Sequence, residues 1–385
     1  MTRLEPCPSR VDGGHQDADG SEAAGGIRYR LPAEWEPHEA TWLIWPGHHR
    51  MVPHWHGHEN ELRSFYHSLI ATMGRFERLH VLLSRGMQDP PRTMSSEGGI
   101  MQVASIESDD IWLRDTAPTF LIPTQPSQGL RQAPLRALCG RWQAYGGIYH
   151  PCQKDAQIAN QLAAHIQCQQ IPLPFVLEGG AFDSDGSGTV LASQRSIACD
   201  KRNPGLSRSH LQALIQAHLG VERVIWIDAC LQGDDTNGHV DQLARFVAPG
   251  RVLVANQPDP LDQDHSMLRS LQQMLRASRD ATGRLLEVIP VDLPAAQFWR
   301  QRRLPASYLN FYIGNHGVYV PAFGCSADGE AAKILRRCFP GRHIIPIDCR
   351  VVIHGGGALH CISRQQPALA GSLNLCHNDD HGLNG

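Results

Sequence analysis

The chain has 385 residues, of which 42% are apolar and 19% are charged. This composition can build a large core and is too apolar for global disorder. The 35 basic and 38 acidic side chains give a net charge of -3, so no overall basic field exists to hold nucleic acid or an anionic membrane, and we expect neither as a partner.

The first 26 residues are rich in Gly, Asp and Ser, a composition that favours disorder. We predict a flexible tail over residues 1–26, a single folded domain over residues 27–370 and a second tail over residues 371–385. Residues 1–26 lack the apolar stretch of a signal peptide, and none of the eleven cysteines forms a Cys-x-x-Cys pair. Unpatterned cysteines are typical of a reducing compartment, so we expect a cytoplasmic protein.

Five segments carry apolar residues at the i, i+3, i+4 spacing of a helix with one buried face. In the first of them Leu62, Phe65, Leu69 and Met73 recur on one side. The predicted helices cover residues 58–74, 154–167, 207–219, 264–277 and 327–339.

Short apolar runs flank every predicted helix and are typical of strands. Strands are predicted before the helices at residues 41–45, 119–122, 189–192, 252–255 and 318–320, and after them at residues 79–83, 175–177, 223–227, 286–291 and 343–347. A strand–helix–strand unit therefore recurs five times, and such a repeat can close into one domain. An ordinary α/β protein with five helices would show the same pattern.

Segments rich in Gly, acidic residues, His and Cys interrupt this pattern beside the predicted strands, where a rigid scaffold commonly places reactive groups. Cys361 follows three glycines and a histidine, and a thiolate is a strong nucleophile once its pKa is lowered. His239 precedes Asp241 by two residues and is suited to proton transfer near neutral pH. Either residue could instead be structural, as most cysteines and histidines are.

Four carboxylates lie in segments that are otherwise rich in Gly and apolar residues, and a buried acid needs a cation or several hydrogen bonds. If these acids converge, a guanidinium substrate would suit them, because its planar fork of donors matches carboxylates. Internal salt bridges to Arg114 and Arg245 are the alternative. The four acids are Asp115, Glu178, Asp235 and Asp241.

Cofactor motifs are not found in the sequence. The chain has no Walker A loop, no dinucleotide-binding Gly-x-Gly-x-x-Gly, no Gly-x-Ser-x-Gly and no His-Glu-x-x-His. Histidines at 48, 49, 54, 56 and 58 could bind a metal but are more typical of a solvated surface, and a cluster of His354 and His360 with the acids lacks a fixed ligand spacing. We therefore expect neither a metal nor an organic cofactor.

Seven ordered motifs resemble those of the agmatine deiminases, within the bacterial-type peptidylarginine deiminase family of the guanidine-modifying (pentein) superfamily. The resemblance implies a five-bladed α/β propeller of repeated ββαβ modules with pseudo-five-fold symmetry around one active site. The motifs are LPAEWEPH at residues 31–38, WLRDTAPTF at 112–120, LEGG at 177–180, RNP at 202–204, DDTNGHVD at 234–241, ASYLNFY at 306–312 and GGGALHCIS at 355–363.

The same resemblance implies the roles of the site residues. Cys361 would be the nucleophile, His239 the general acid and base, and Glu178 the partner that orients His239. Asp115 and Asp241 would hold the guanidinium. The remaining residues that would bind the substrate are Trp112, Asp235 and Gly357.

The activity implied is hydrolysis of agmatine, a small cationic guanidine, to N-carbamoylputrescine and ammonia through an amidino-cysteine intermediate, a step of putrescine biosynthesis. The chain departs from the family pattern at Ala117, where the family often has Gly, and at Ala358-Leu359, where it often has Asn-Ile. The alternatives that stay open are an arginine or peptidyl-arginine deiminase, a weakly catalytic guanidine-binding protein and a metal-dependent hydrolase. A homo-oligomer is compatible with the sequence.

Overall fold

The computed structural model of the chain describes residues 27–47, 53–84, 100–103, 106–124 and 133–369. The tails predicted over residues 1–26 and 371–385 lie outside these ranges. Within them, none of the helices combines the length and the apolar character needed to cross a bilayer.

Five sheets repeat one order: an antiparallel pair of strands, then a helix that leads to a third strand parallel to the second. A helical connection is what a parallel pair requires, because a tight turn cannot reverse direction twice. Written as first strand, second strand, helix and third strand, the modules are Thr119–Pro123, Arg136–Cys139, Asp155–His165 and Gln169–Pro172; Phe182–Ser184, Thr189–Ser193, Arg208–Leu219 and Arg223–Ile227; Ala244–Ala248, Arg251–Asn256, His265–Ala277 and Glu287–Asp292; Tyr312–Ile313, Gly317–Ala322, Ala327–Cys338 and His343–Asp348; and Ser363–Pro367, His38–Ile44, Glu59–Met73 and Leu79–Leu82.

The fifth module is built from both ends of the described chain. Its first strand, Ser363–Pro367, pairs antiparallel with His38–Ile44, more than 300 residues earlier in the sequence. This pairing fixes the segment immediately before Ser363, which contains Cys361, next to the strand His38–Ile44. Cys361 is therefore held by long-range strand pairing as well as by its local turn.

All five predicted helices are confirmed, with ends within two residues of those predicted. Their apolar faces are buried as the spacing predicted; Leu62, Phe65, Leu69 and Met73 all face the core. The helix Arg208–Leu219 also shows standard caps. Ser207 accepts a hydrogen bond from the third amide, and Gly220 ends the helix in the left-handed region at a φ of 64°.

One predicted strand, at residues 175–177, is wrong. The third strand of that module is Gln169–Pro172. The Asn203 side chain accepts from the Val176 amide at 2.8 Å and donates to the Val176 carbonyl at 3.0 Å. Since one side chain satisfies this backbone, the apolar run of Phe175 and Leu177 enters the core without joining a sheet ladder.

Further elements extend the modules. Tyr29–Arg30 pairs with Thr119–Pro123, Ile100–Val103 pairs with Leu79–Leu82, and Gln297–Trp299 forms a hairpin with Arg302–Leu304. The short helices and helical turns are Pro53–Trp55, Leu113–Thr116, Ala144–Gly147, Gly179–Ala181, Gln194–Ile197, Val240–Gln242, Val352–Gly355 and Leu359–Ile362.

Candidate active site

The segment immediately before the first strand of each module carries a polar side chain, and these five segments meet in one place. Each is a short helix or a turn that ends within a few residues of its strand. Equivalent points of a repeated module converge because the modules pack side by side. In module order the segments carry Asp115, Glu178, His239 with Asp241, Asn310, and Cys361.

The Cys361 thiol lies at the centre of this cluster with 5% of the residue exposed. Its Sγ accepts a hydrogen bond from Asn310 Nδ2 at 3.1 Å and donates to Asp241 Oδ2 at 3.5 Å. Asn310 Oδ1 also accepts from the Ala358 amide at 3.0 Å and the Cys361 amide at 3.3 Å. One amide side chain therefore fixes both the sulfur and the turn that carries it.

His239 is fully buried between two carboxylates. Its Nε2 lies 2.8 Å from Glu178 Oε2, and Arg202 Nε donates to both oxygens of Glu178 at 3.0 and 3.1 Å. The other ring nitrogen, Nδ1, lies 3.7 Å from Asp115 Oδ1 and has no hydrogen-bond partner among the described residues. Glu178 thus orients the imidazole and leaves Nδ1 directed at the centre of the cluster.

Asp115 and Asp241 face this centre from two modules. Asp115 accepts from the Gly180 amide at 2.7 Å and from the Tyr145 hydroxyl at 2.9 Å. Tyr145 holds its hydroxyl there from a left-handed backbone conformation, with φ at 58°, a strain that structures retain mainly at functional sites. Asp241 Oδ1 is buried and lacks a hydrogen-bond partner in the described part of the chain.

A buried network of charged side chains connects Asp241 to Glu34 through His360. His360 Nδ1 lies 2.7 Å from Asp241 Oδ2, and His360 Nε2 lies 2.8 Å from Glu34 Oε2. Both ring nitrogens of His360 therefore face carboxylate oxygens. Glu34 also pairs with Arg114 at 3.2 Å and with Arg245 at 3.0 Å. The salt bridges considered for the site acids thus go to Glu34 instead, and Asp115 receives neither arginine.

Gly180 and Gly357 leave space in the cluster that a larger side chain would fill. A Cβ on Gly180 would lie 2.5 Å from His239 Nδ1, 3.0 Å from Asp241 Oδ2 and 3.2 Å from Asp115 Oδ1. A Cβ on Gly357 would lie 2.7 Å from the Trp112 ring and 3.0 Å from Cys361 Sγ. The structure therefore places Trp112 and Gly357 beside the thiol.

Asp235 lies further out, beyond two tyrosines. The rings of His239 and Tyr145 are 5.8 Å apart, and those of Tyr145 and Tyr149 are 6.0 Å apart. Tyr149 donates to Asp235 Oδ2 at 2.5 Å, and Arg302 Nη2 lies 2.5 Å from the same oxygen. Asp235 is one-third exposed, whereas Asp115 and Asp241 are buried.

The protonation states follow from burial and from neighbouring charge. Burial, together with the negative charges of Asp241 and Asp115, raises the pKa of the Cys361 thiol well above its ordinary value. Burial opposes charge on His239, but Asp115 and Glu178 outweigh it and raise the pKa of His239 to about 9. At neutral pH the site therefore holds a thiol beside an imidazolium.

The pKa values of Asp115 and Asp241 also depend on burial and on neighbouring charge. Burial raises the pKa of Asp115, and His239 offsets this only in part. Burial would also raise the pKa of Asp241, but the hydrogen bond and the charge of His360 outweigh burial and hold that pKa below its usual value. Asp115 and Asp241 thus both present carboxylate oxygens to the space beside the thiol, which favours a bound cation.

A family model for Porphyromonas-type peptidyl-arginine deiminases matches residues 30–367. The chain belongs to this family. An agmatine deiminase of Pseudomonas aeruginosa is 34% identical over 363 residues, which cover 88% of this chain and 96% of the relative. A Legionella pneumophila protein, provisionally described as an agmatine deiminase, is 37% identical over 344 residues, which cover 88% of this chain and 95% of the relative.

Among solved structures of the family, the fold is similar to that of the agmatine deiminase of Enterococcus faecalis. The TM-score is 0.79 at 28% sequence identity, over 94% of this chain and 99% of that one. The α/β class predicted from the sequence is confirmed by this likeness and by the five mixed sheets.

Several residues of the site escaped sequence reasoning. Asn310 lies within the ASYLNFY motif and Arg202 within RNP, so both motifs marked positions whose roles only the contacts reveal. Tyr145 lies outside the seven motifs. His360 adjoins Cys361 in the chain, and Gly180 follows Glu178 by two positions.

The histidines considered as metal ligands form no ligand set within the described part of the chain. The described residues contain no group of three or more His, Cys, Asp or Glu placed to hold a metal ion. His354 stacks on Trp299 at 4.1 Å, and His54 lies 3.4 Å from the Tyr149 hydroxyl. His48 and His49 lie outside the described residues.

Proposed function

We propose that this chain is an agmatine deiminase, a hydrolase that converts agmatine and water into N-carbamoylputrescine and ammonia. The observation that carries the proposal is the Cys361 thiol held among Asp115, Asp241 and His239. Two carboxylates beside one nucleophile suit a guanidinium, whose delocalised charge makes its carbon a poor electrophile unless it is held close to the sulfur. The family of the chain and its similarity to named agmatine deiminases support the choice of substrate.

The reaction begins with binding of the guanidinium between Asp115 and Asp241. Its positive charge offsets the carboxylates at Cys361 Sγ, which lowers the pKa of the thiol so that its proton leaves to solvent, since His239 is already protonated. The thiolate attacks the guanidinium carbon and forms an S–C bond. The His239 imidazolium gives its proton to one amino group, the C–N bond breaks and ammonia leaves.

An amidino group then remains bound to Cys361 through sulfur. Neutral His239 takes a proton from water, and the resulting hydroxide attacks the same carbon. The S–C bond breaks as the hydroxyl proton of the adduct passes to the sulfur, the neutral ureido product leaves, and the thiol and imidazolium of the free site are restored. Glu178 keeps His239 oriented through both steps because it holds Nε2.

The outer residues would bind the rest of the substrate. The Trp112 ring lies beside Gly357 and would contact the aliphatic chain of agmatine. Asp235, beyond Tyr145 and Tyr149, would accept the distal ammonium. No step of this mechanism uses a metal or an organic cofactor.

We also propose that the five modules close around the site as a five-bladed α/β propeller with pseudo-five-fold symmetry, in one domain of residues 27–370. The common strand order and the pairing of Ser363–Pro367 with His38–Ile44 support this architecture. A cytoplasmic location and a role in putrescine biosynthesis stay predictions from the sequence and its resemblance.

The test is a substrate panel of agmatine, free arginine and an arginyl peptide, with ammonia release as the readout and mass spectrometry of the protein for an amidino adduct on Cys361. Agmatine should be the preferred substrate, and Cys361→Ala should remove both turnover and adduct. A folded, reduced protein that leaves agmatine unchanged from pH 6 to 9, or a turnover that survives Cys361→Ala, would sink the proposal. Preference for arginine or the peptide would instead assign the site to that substrate.

A further inference from the structure

The acid proposed to take the distal ammonium already has a cationic partner within the chain. Arg302 Nη2 lies 2.5 Å from Asp235 Oδ2, the same oxygen to which Tyr149 donates. Both Arg302 and Asp235 are one-third exposed, so they lie where the site meets solvent. The Arg302 guanidinium therefore offsets the charge of the carboxylate that a bound ammonium would use.

The hairpin that carries Arg302 is fixed in register against the loop that carries Asp235. Trp299 pairs with Arg302 across the two-residue turn Arg300–Gln301, whose φ angles of 46° and 66° are unusual for residues other than glycine. On the Asp235 side, Gly233 packs so closely that a Cβ there would meet the Arg303 carbonyl oxygen at 2.1 Å. Close backbone packing thus sets the position of Arg302 relative to Asp235.

A second acceptor for Arg302 is built into the same loop. Arg302 Nη2 donates to the Gly233 carbonyl oxygen at 2.9 Å. If a ligand displaces Arg302 from Asp235, the guanidinium keeps this hydrogen bond and does not have to leave the loop. Arg302 can therefore give up its contact with Asp235 while it keeps its hydrogen bond to Gly233.

We propose that Arg302 is a specificity-determining residue that competes with the distal ammonium of the substrate for Asp235. This inference rests on the proposed function. Binding of agmatine would exchange one cation at Asp235 for another, with Arg302 retained on Gly233. Arg302 thereby weakens the binding of guanidines that carry a distal cation and leaves guanidines with an uncharged tail unaffected.

The experiment compares wild type with Arg302→Gln on agmatine and on butylguanidine, which lacks the distal ammonium. Gln keeps a donor for Gly233 and removes the charge. The KM for agmatine should fall about two- to fivefold, the range expected for an exposed ion pair, with kcat unchanged. The KM for butylguanidine should not move. Arg302→Lys, which keeps the charge, should stay close to wild type on both substrates.

The neighbouring Arg303→Gln is the matched control, because Arg303 pairs with Asp262 and does not contact Asp235. It should leave both KM values unchanged. An unchanged or higher KM for agmatine in Arg302→Gln, with the wild type active, would overturn the competition and leave the proposed function intact. A wild type that turns over butylguanidine but not agmatine would overturn both.

Discussion

Gly180 offers the sharpest test of the site, because Gly180→Ala adds one methyl group at the centre of the cluster. The new Cβ would lie 2.5 Å from His239 Nδ1, whereas ordinary contacts begin at 3.4 Å, a shortfall of about 0.9 Å. The Asp241 and Asp115 oxygens, at 3.0 and 3.2 Å, must also give way. Alanine tolerates the backbone at this position, since Gly180 is not among the residues with a positive φ, so the perturbation is purely steric.

The magnitude follows from that displacement. Moving a catalytic group by about 1 Å costs about 100-fold in rate, or about 2.7 kcal/mol of transition-state stabilisation. Overpacking a buried site costs about 1–3 kcal/mol of folding free energy. We therefore expect kcat/KM for agmatine to fall about 100-fold in a protein that remains folded, with a modest loss of stability.

The assay is ammonia release at saturating and limiting agmatine, together with urea unfolding followed by circular dichroism. Gly329→Ala is the matched control, because Gly329 lies in the helix Ala327–Cys338 with nothing within 4 Å of the added Cβ. That variant should keep full activity and gain about 0.5–1 kcal/mol. If folded Gly180→Ala keeps kcat/KM within threefold of wild type, His239 is not held where the mechanism needs it.

Three other outcomes are expected. Below about pH 9 the free enzyme holds both the Cys361 proton and the His239 proton. The complex that reacts contains a Cys361 thiolate and a His239 imidazolium, so it holds one proton fewer. The kcat/KM measured from pH 6 to 10 should therefore rise tenfold per unit and level off near pH 9; a flat profile below pH 8 would contradict this. His360→Asn removes the partner that pairs with the buried charge of Asp241, whereas Glu34 keeps Arg114 and Arg245, and denaturant titration should show a loss of about 3–5 kcal/mol. Asn310→Ala removes the donor that lowers the pKa of Cys361, so iodoacetamide should alkylate the thiol about 10- to 100-fold more slowly; an equal rate would refute that role.

The sequence by itself determined the local elements. One-sided apolar spacing specifies a helix through the chain's own geometry, and each of the five predicted helices is present. It failed at residues 175–177, where the side chain of Asn203 satisfies the backbone that a strand partner would otherwise pair. Apolar content alone cannot tell a buried strand from a buried loop, because the distinction lies in where the backbone hydrogen bonds go.

The motifs also marked Cys361, His239 and the four acids, of which Asp115, Glu178 and Asp241 lie in the cluster and Asp235 lies further out. Tertiary structure alone decided which charges meet. Arg114 and Arg245 go to Glu34 and not to the site acids, and Asp235 is shared with an arginine 67 positions away. Such pairings depend on how modules distant in sequence pack together, and electrostatic energy depends on separation in space, which the order of residues in a chain does not encode locally.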